Sequence, residues 1–303
     1  MPVPHAGSSM PYLLIAALVQ LSLIVLPLIT LGAWYIHTPH RKLFLNRLPY
    51  APKLQTTIRG LAIARIVGFI VGIPATIILL VFVGIPELSY AAPFAIYTSI
   101  CLFTFIVHIL TFKAAHVPRH SGLERRTLTQ YTNQLPKVTL ISAPLILFSL
   151  TALYPLMPVL PDDFGAVSFA SPIAVFAVIG ALVFASLLTA AITQIVILRP
   201  RNSSDNALVS LDNIVRRRSI NELIFGITAA TAATALGLSV RGAYLAFSAL
   251  FFRPTVFIDA SAMPSSTILI ILAAVHTIAA IVNTIIFVIT LARQFNPGIG
   301  VDQ

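Results

Sequence analysis

The sequence predicts an all-α fold, a polytopic membrane protein built as a bundle of seven transmembrane helices, with its N-terminus outside and its C-terminus cytoplasmic. Three observations lead there. Across 303 residues, 58% are hydrophobic, 9% are charged and the mean hydropathy is +0.95, whereas soluble domains carry about a quarter charged residues. Seven apolar runs, near 11–36, 58–83, 90–114, 136–158, 171–198, 219–249 and 267–292, are each long enough to cross a hydrocarbon core of roughly 30 Å at about 1.5 Å per residue. Barrel strands would be about half that length and would alternate in polarity. Finally, lysine and arginine are confined almost entirely to alternate connections.

The first span follows MPVPHAGSSM, which has no basic start and leads into an apolar run too long for a cleavable signal. It is expected to remain in the membrane. The connection after it carries Arg41, Lys42, Arg47, Lys53 and Arg59. The connection after the third span carries Lys113, Arg119, Arg125, Arg126 and Lys137, and the one after the fifth carries Arg199, Arg201 and Arg216 to Arg218. The other face holds Arg253 beside Glu87, Asp162, Asp163 and Asp259. Cations are retained on the cytoplasmic side, so this asymmetry sets the orientation and places Arg293 and the C-terminus inside. With no repeat and no long connection to hold a soluble unit, residues 1–303 are expected to be a single seven-helix domain.

The net charge of +10 is spread over three juxtamembrane connections. Its expected partners are therefore anionic membrane lipids and no nucleic acid. RRRS at Arg216 to Ser219 has a basophilic phosphorylation pattern, but its position makes it a membrane-edge anchor, with Glu222 as local counter-charge. One cysteine, Cys101, excludes an internal disulfide.

Ionisable residues within a span face the bundle or a wet cavity, because lipid tails satisfy no polar group. In the sixth span, Arg241 shares a helical face with Ala230, Thr234, Gly237, Tyr244 and Ser248. In the third, Tyr97, Cys101, Thr104, His108 and Thr111 recur in steps of three and four. The seventh places His276, Asn283 and Thr290 at intervals of seven, hence on one side. The second aligns Arg65 with Gly68, Gly72 and Ala75, and Gly68 and Gly72 form a GxxxG that permits close helix approach. Arg65 has a long stem able to snorkel to the cytoplasmic headgroups, and Arg241 has Asp259 or Glu87 as possible partners. The candidate ligand-binding set is Arg241, Tyr244, His276, Asn283, Tyr97 and His108, with Gly68 and Gly72 for packing. Arg241, Tyr244, His276 and Tyr97 would line an outward-opening cavity fit for an amphiphile with an anionic head, since a guanidinium holds phosphate or carboxylate bidentately.

Enzyme readings find less support. His37 with His40 and His116 with His120 have spacings seen in the histidine boxes of membrane di-iron enzymes, but Pro39 and Pro118 put both pairs in loops and no HH pair occurs. G-x-S-x-G, H-E-x-x-H, P-loop and GxGxxG contexts are lacking, so no catalytic residue, metal ligand or cofactor is assigned. The four lysines lie at cytoplasmic helix ends, which excludes a retinal Schiff base. A receptor-like signalling protein shares the count and orientation, with a cytoplasmic partner at the basic loops. However, the third span ends TFKAAHVPRH and the seventh NTIIFVITLARQFNP, without the usual receptor triplets.

The RGAY at Arg241 to Tyr244, together with size, span count and short connections, resembles the fungal lipid-translocating exporter-like family. That family carries Arg-x-x-Tyr-Arg-x-x-Glu in a late helix. Arg241 and Tyr244 match, whereas Leu245 and Ser248 stand in place of the second arginine and the glutamate. The resemblance implies binding or translocation of an amphiphilic lipid or lipid-like toxin at the plasma membrane or an endomembrane, without an ATP site in the chain.

Overall fold

The computed structural model describes residues 52–83, 90–113, 128, 134–153, 156, 172–198, 206–251 and 265–295. The first expected span, 11–36, lies outside them. Among the described residues the protein is all-helical, with six helices: α1 Pro52–Val83, α2 Ala92–Lys113, α3 Gln134–Leu153, α4 Pro172–Leu198, α5 Asn206–Phe251 and α6 Ser266–Phe295. Four contain stretches long and apolar enough to cross a membrane, namely Ala92–Leu110, Val175–Leu198, Val215–Phe251 and Ser266–Thr290. Ile63–Ile78 and Leu140–Leu153 are shorter apolar stretches of α1 and α3.

Local chemistry explains the helix ends and interiors. Pro52 and Pro172 open α1 and α4, where a missing N–H is harmless because first-turn amides have no intrahelical acceptor. The hydroxyl of Ser265 faces the Ile268 amide at 3.4 Å ahead of α6. Within the helices, Thr76, Thr151, Thr228, Thr231, Ser239 and Thr290 each donate to the carbonyl four residues earlier. Such bonds let hydroxyls lie in an apolar medium without a partner from a neighbouring helix.

The fifth helix begins well before the expected start of its span at 219. Hydropathy falls at DNIVRRRSINE, but the segment is held helical by ion pairs at i,i+4, Asp212 with Arg216 and Arg218 with Glu222. Arg216 to Arg218, expected in a connecting loop, are therefore helical. Arg216 is only 1% exposed, so it does not act as a surface anchor. Its Nε donates to Asp212 Oδ2 at 2.7 Å, and its Nη1 donates to the carbonyls of Val196 at 2.8 Å and Ile197 at 3.2 Å. Those carbonyls belong to the last turn of α4, where the helix itself supplies no donor, so Arg216 caps a neighbouring helix.

The 46 residues of α5 extend about 69 Å, more than twice a hydrocarbon core. Of its apolar stretch, 78% is buried, against 28% to 39% for those of α2, α4 and α6. This makes α5 the central element. Its neighbours turn apolar side chains outward, including Ile63, Ile66 and Ile70 of α1 and Ile278, Ile281 and Ile285 of α6. Helices apolar on both faces suit lipid on the outside and protein within.

Close contacts fix the neighbours. A Cβ at Gly68 would lie 2.6 Å from Ile100 Cα, and one at Gly72 would lie 3.1 Å from Ile96 Cα, so α1 and α2 run antiparallel with near backbone contact at the GxxxG. A Cβ at Gly242 would lie 2.4 Å from His276 Nδ1, while Phe287 packs with Ala229 and Ala232. Thus α6 runs antiparallel to α5, its large side chains received by small ones.

Candidate functional site

Polar groups gather at two levels of α5. The first level centres on Glu222, 7% exposed. Arg65 Nη2 of α1 donates to its Oε2, and Arg218 Nε, one turn earlier on α5, donates to its Oε1 at 2.9 Å. The two guanidiniums are about one-fifth exposed (20% and 21%). Among the described residues, two guanidiniums thus converge on one carboxylate in a region of low dielectric.

Beside this cluster α2 contributes Tyr97, whose hydroxyl lies 2.7 Å from Thr189 Oγ1 of α4 and 2.9 Å from the Leu223 carbonyl of α5. Thr189 Oγ1 also lies 2.7 Å from the Ala185 carbonyl. With one proton on each hydroxyl, two arrangements satisfy the group: Thr189 donates to Tyr97 and Tyr97 to Leu223, or Tyr97 donates to Thr189 and Thr189 to Ala185. Tyr97 thereby ties three helices together at one level. Arg65, Tyr97, Ile100, Thr104, Ser219, Glu222 and Leu223 line a cleft of about 10 Å³, room for one water molecule. Ser219, in the RRRS pattern, is 4% exposed and faces this cleft from within a helix, out of reach of a kinase.

The second level lies around Arg241. Val240, Tyr244, Phe247 and Phe251 form one exposed face of α5, with Tyr244 56% exposed, and the rings of Phe247 and Phe251 stack 6.4 Å apart. Arg241, half-buried, sits at the edge of this face. On the opposite side Gly242 meets the His276 ring. His276, Asn283 and Thr290 are all 0% exposed, so the seven-residue spacing describes the α5–α6 seam. Asn283 Nδ2 donates to the Ala279 carbonyl at 2.8 Å, within its own helix.

The four residues expected around one cavity are therefore divided. Tyr97 sits level with Leu223, 18 residues before Arg241, a separation of about 27 Å along α5. His108 is buried on α2 about three turns beyond Tyr97. Tyr244 faces outward while His276 lies in the seam. Asp259, Glu87 and both histidine pairs lie outside the described residues.

Sequence reasoning named Arg65, Arg218 and Glu222, the last as counter-charge to the RRR run, but left all three off the ligand set, and it left out Thr189 altogether. One signal for them was available: Glu222 stands four residues after Arg218 at the start of an apolar run, and a carboxylate entering a span needs a cationic partner.

The chain matches no family model, no curated protein and no solved structure.

Proposed function

We propose that this chain is a seven-helix membrane protein, N-terminus outside and C-terminus cytoplasmic, that binds or translocates an amphiphilic lipid or lipid-like compound with an anionic head. The supporting observation is the convergence of Arg65 and Arg218 on Glu222 beside a polar cleft inside the bundle. An anion approaching beside that cleft, which holds only one water, meets the exposed fifths of two guanidiniums sharing one carboxylate. It displaces or joins Glu222 as their acceptor. The tail has an apolar path alongside, over Ile63, Ile66 and Ile70 of the helix that carries Arg65.

The head-binding role thus moves from Arg241 to Arg65 and Arg218. Arg241, with Tyr244 and the exposed Phe247 and Phe251, provides a second contact for the same class of ligand toward the outer leaflet. The resemblance of RGAY to the lipid-translocating exporter-like family agrees with this reading.

The test compares a tail-matched pair of amphiphiles, one anionic and one zwitterionic, on purified protein in neutral nanodiscs. Arg65→Gln leaves Glu222 paired with Arg218 and removes one of the two guanidiniums. Preference for the anionic member should fall about tenfold, the value of one charge-assisted hydrogen bond. A folded variant with unchanged preference would refute the assignment.

A further inference from the structure

A second polar feature of α5 lies outside the Glu222 cluster. Asn213, Arg217 and Asn221 stand at successive i,i+4 positions, which puts them on one face over about 12 Å of helix. All three are half-buried. Each has a buried polar atom with no hydrogen-bond partner among the described residues: Oδ1 of Asn213, Nε of Arg217 and Oδ1 of Asn221. On the same turns Asp212 pairs with Arg216 and Arg218 with Glu222, so the three stand out against neighbours whose polar groups are met. Buried polar groups are normally partnered, and three exceptions in one row call for a ligand or ordered solvent.

The position of the row narrows the choice. Arg216, on the adjoining part of α5, caps α4 at Val196 and Ile197, where the apolar run of α4 ends in the exposed Leu198. The row therefore lies where the apolar zone gives way to headgroups. Two amide oxygens accept hydrogen bonds from hydroxyls, and a guanidinium Nε–H donates to a phosphate oxygen. A group offering both within 12 Å or so is a hydroxylated phosphate.

We infer that Asn213, Arg217 and Asn221 form a binding site for a polyol phosphate, the headgroup chemistry of phosphatidylinositol or phosphatidylglycerol and of soluble sugar phosphates. The site is separate from the Glu222 cleft and does not depend on it.

Full-length protein in phosphatidylcholine nanodiscs doped with phosphatidylinositol or, at equal charge, phosphatidylserine tests the inference through lipid retention in native mass spectrometry. Phosphatidylinositol should be retained about tenfold better than phosphatidylserine. Asn213→Leu with Asn221→Leu should abolish that difference. Arg217→Gln should weaken both lipids, with Arg217→Lys restoring part of the binding through its charge. A wild-type protein that treats the two lipids alike overturns the proposal, as does a preference that survives the double asparagine variant. Addition of soluble inositol phosphate separates the sources: no displacement assigns the site to lipid, and displacement at matched concentration assigns it to a soluble ligand.

Discussion

Replacing Glu222 by glutamine keeps the shape of the side chain and removes its charge, leaving Arg65 and Arg218 facing each other across a neutral amide. At a separation of about 4 Å and an effective dielectric near 20, each guanidinium loses about 4 kcal/mol of attraction. Mutual repulsion of the two cations is then no longer offset. Loss of one partner from a buried pair costs about 3–5 kcal/mol in practice. Partial solvent access to both arginines, with side chains 20% and 21% exposed, places the expected loss near the lower end, about 3 kcal/mol. Reversible unfolding in mixed micelles of mild and denaturing detergent would measure it. Arg65→Gln, which leaves the Arg218–Glu222 pair in place, should lose clearly less, and the double variant should be milder than the sum because its members share partners. A Glu222→Gln protein within about 0.5 kcal/mol of wild type would show that no ionised carboxylate bridges the arginines.

Other substitutions test the packing. Gly68→Val places its Cβ against the Ile100 backbone, which cannot move without parting α1 from α2; a loss of about 1–3 kcal/mol is expected in the same unfolding assay. Gly242→Ala drives a methyl into the His276 ring, and a cysteine crosslink designed across the α5–α6 seam should form more slowly in that variant than in wild type. Arg216→Met removes the cap on Val196 and Ile197 and leaves Asp212 without its i,i+4 partner; about 3 kcal/mol should be lost, with amide exchange rising first at the end of α4.

The helical, membrane-spanning character was legible because it depends on composition and run length, which are local. Pairing of helices was legible only where a single residue type carries it. Gly68 and Gly72 signal close approach by having no side chain, and the seven-residue spacing of His276, Asn283 and Thr290 marks one buried face. Neither pattern says which helix lies opposite. Arg65 meets Glu222 across 157 positions of sequence, and Tyr97 meets Thr189 across 92. Separations of that kind leave no periodic trace. Arg216 misled for another reason: a run of three arginines reads as solvated, yet one guanidinium can face inward when an i,i+4 carboxylate and two helix-end carbonyls accept from it. Tyr244 shares its stripe with Arg241, but the stripe straddles the border between the seam and the outward face of α5.

The most direct test of the central claim is to map where the head of an anionic amphiphile rests. A photoreactive group placed beside the phosphate of such a lipid, activated in nanodiscs and located by peptide mass spectrometry, reports the residues within reach. Labelling is expected on Arg65, on its exposed neighbours Ile63 and Ile66 and on Ile100 at the edge of the cleft, and excess unlabelled anionic lipid should suppress it where zwitterionic lipid does not. Adducts confined to Tyr244, Phe247 and Phe251, or unaffected by the charge of the competitor, would contradict it.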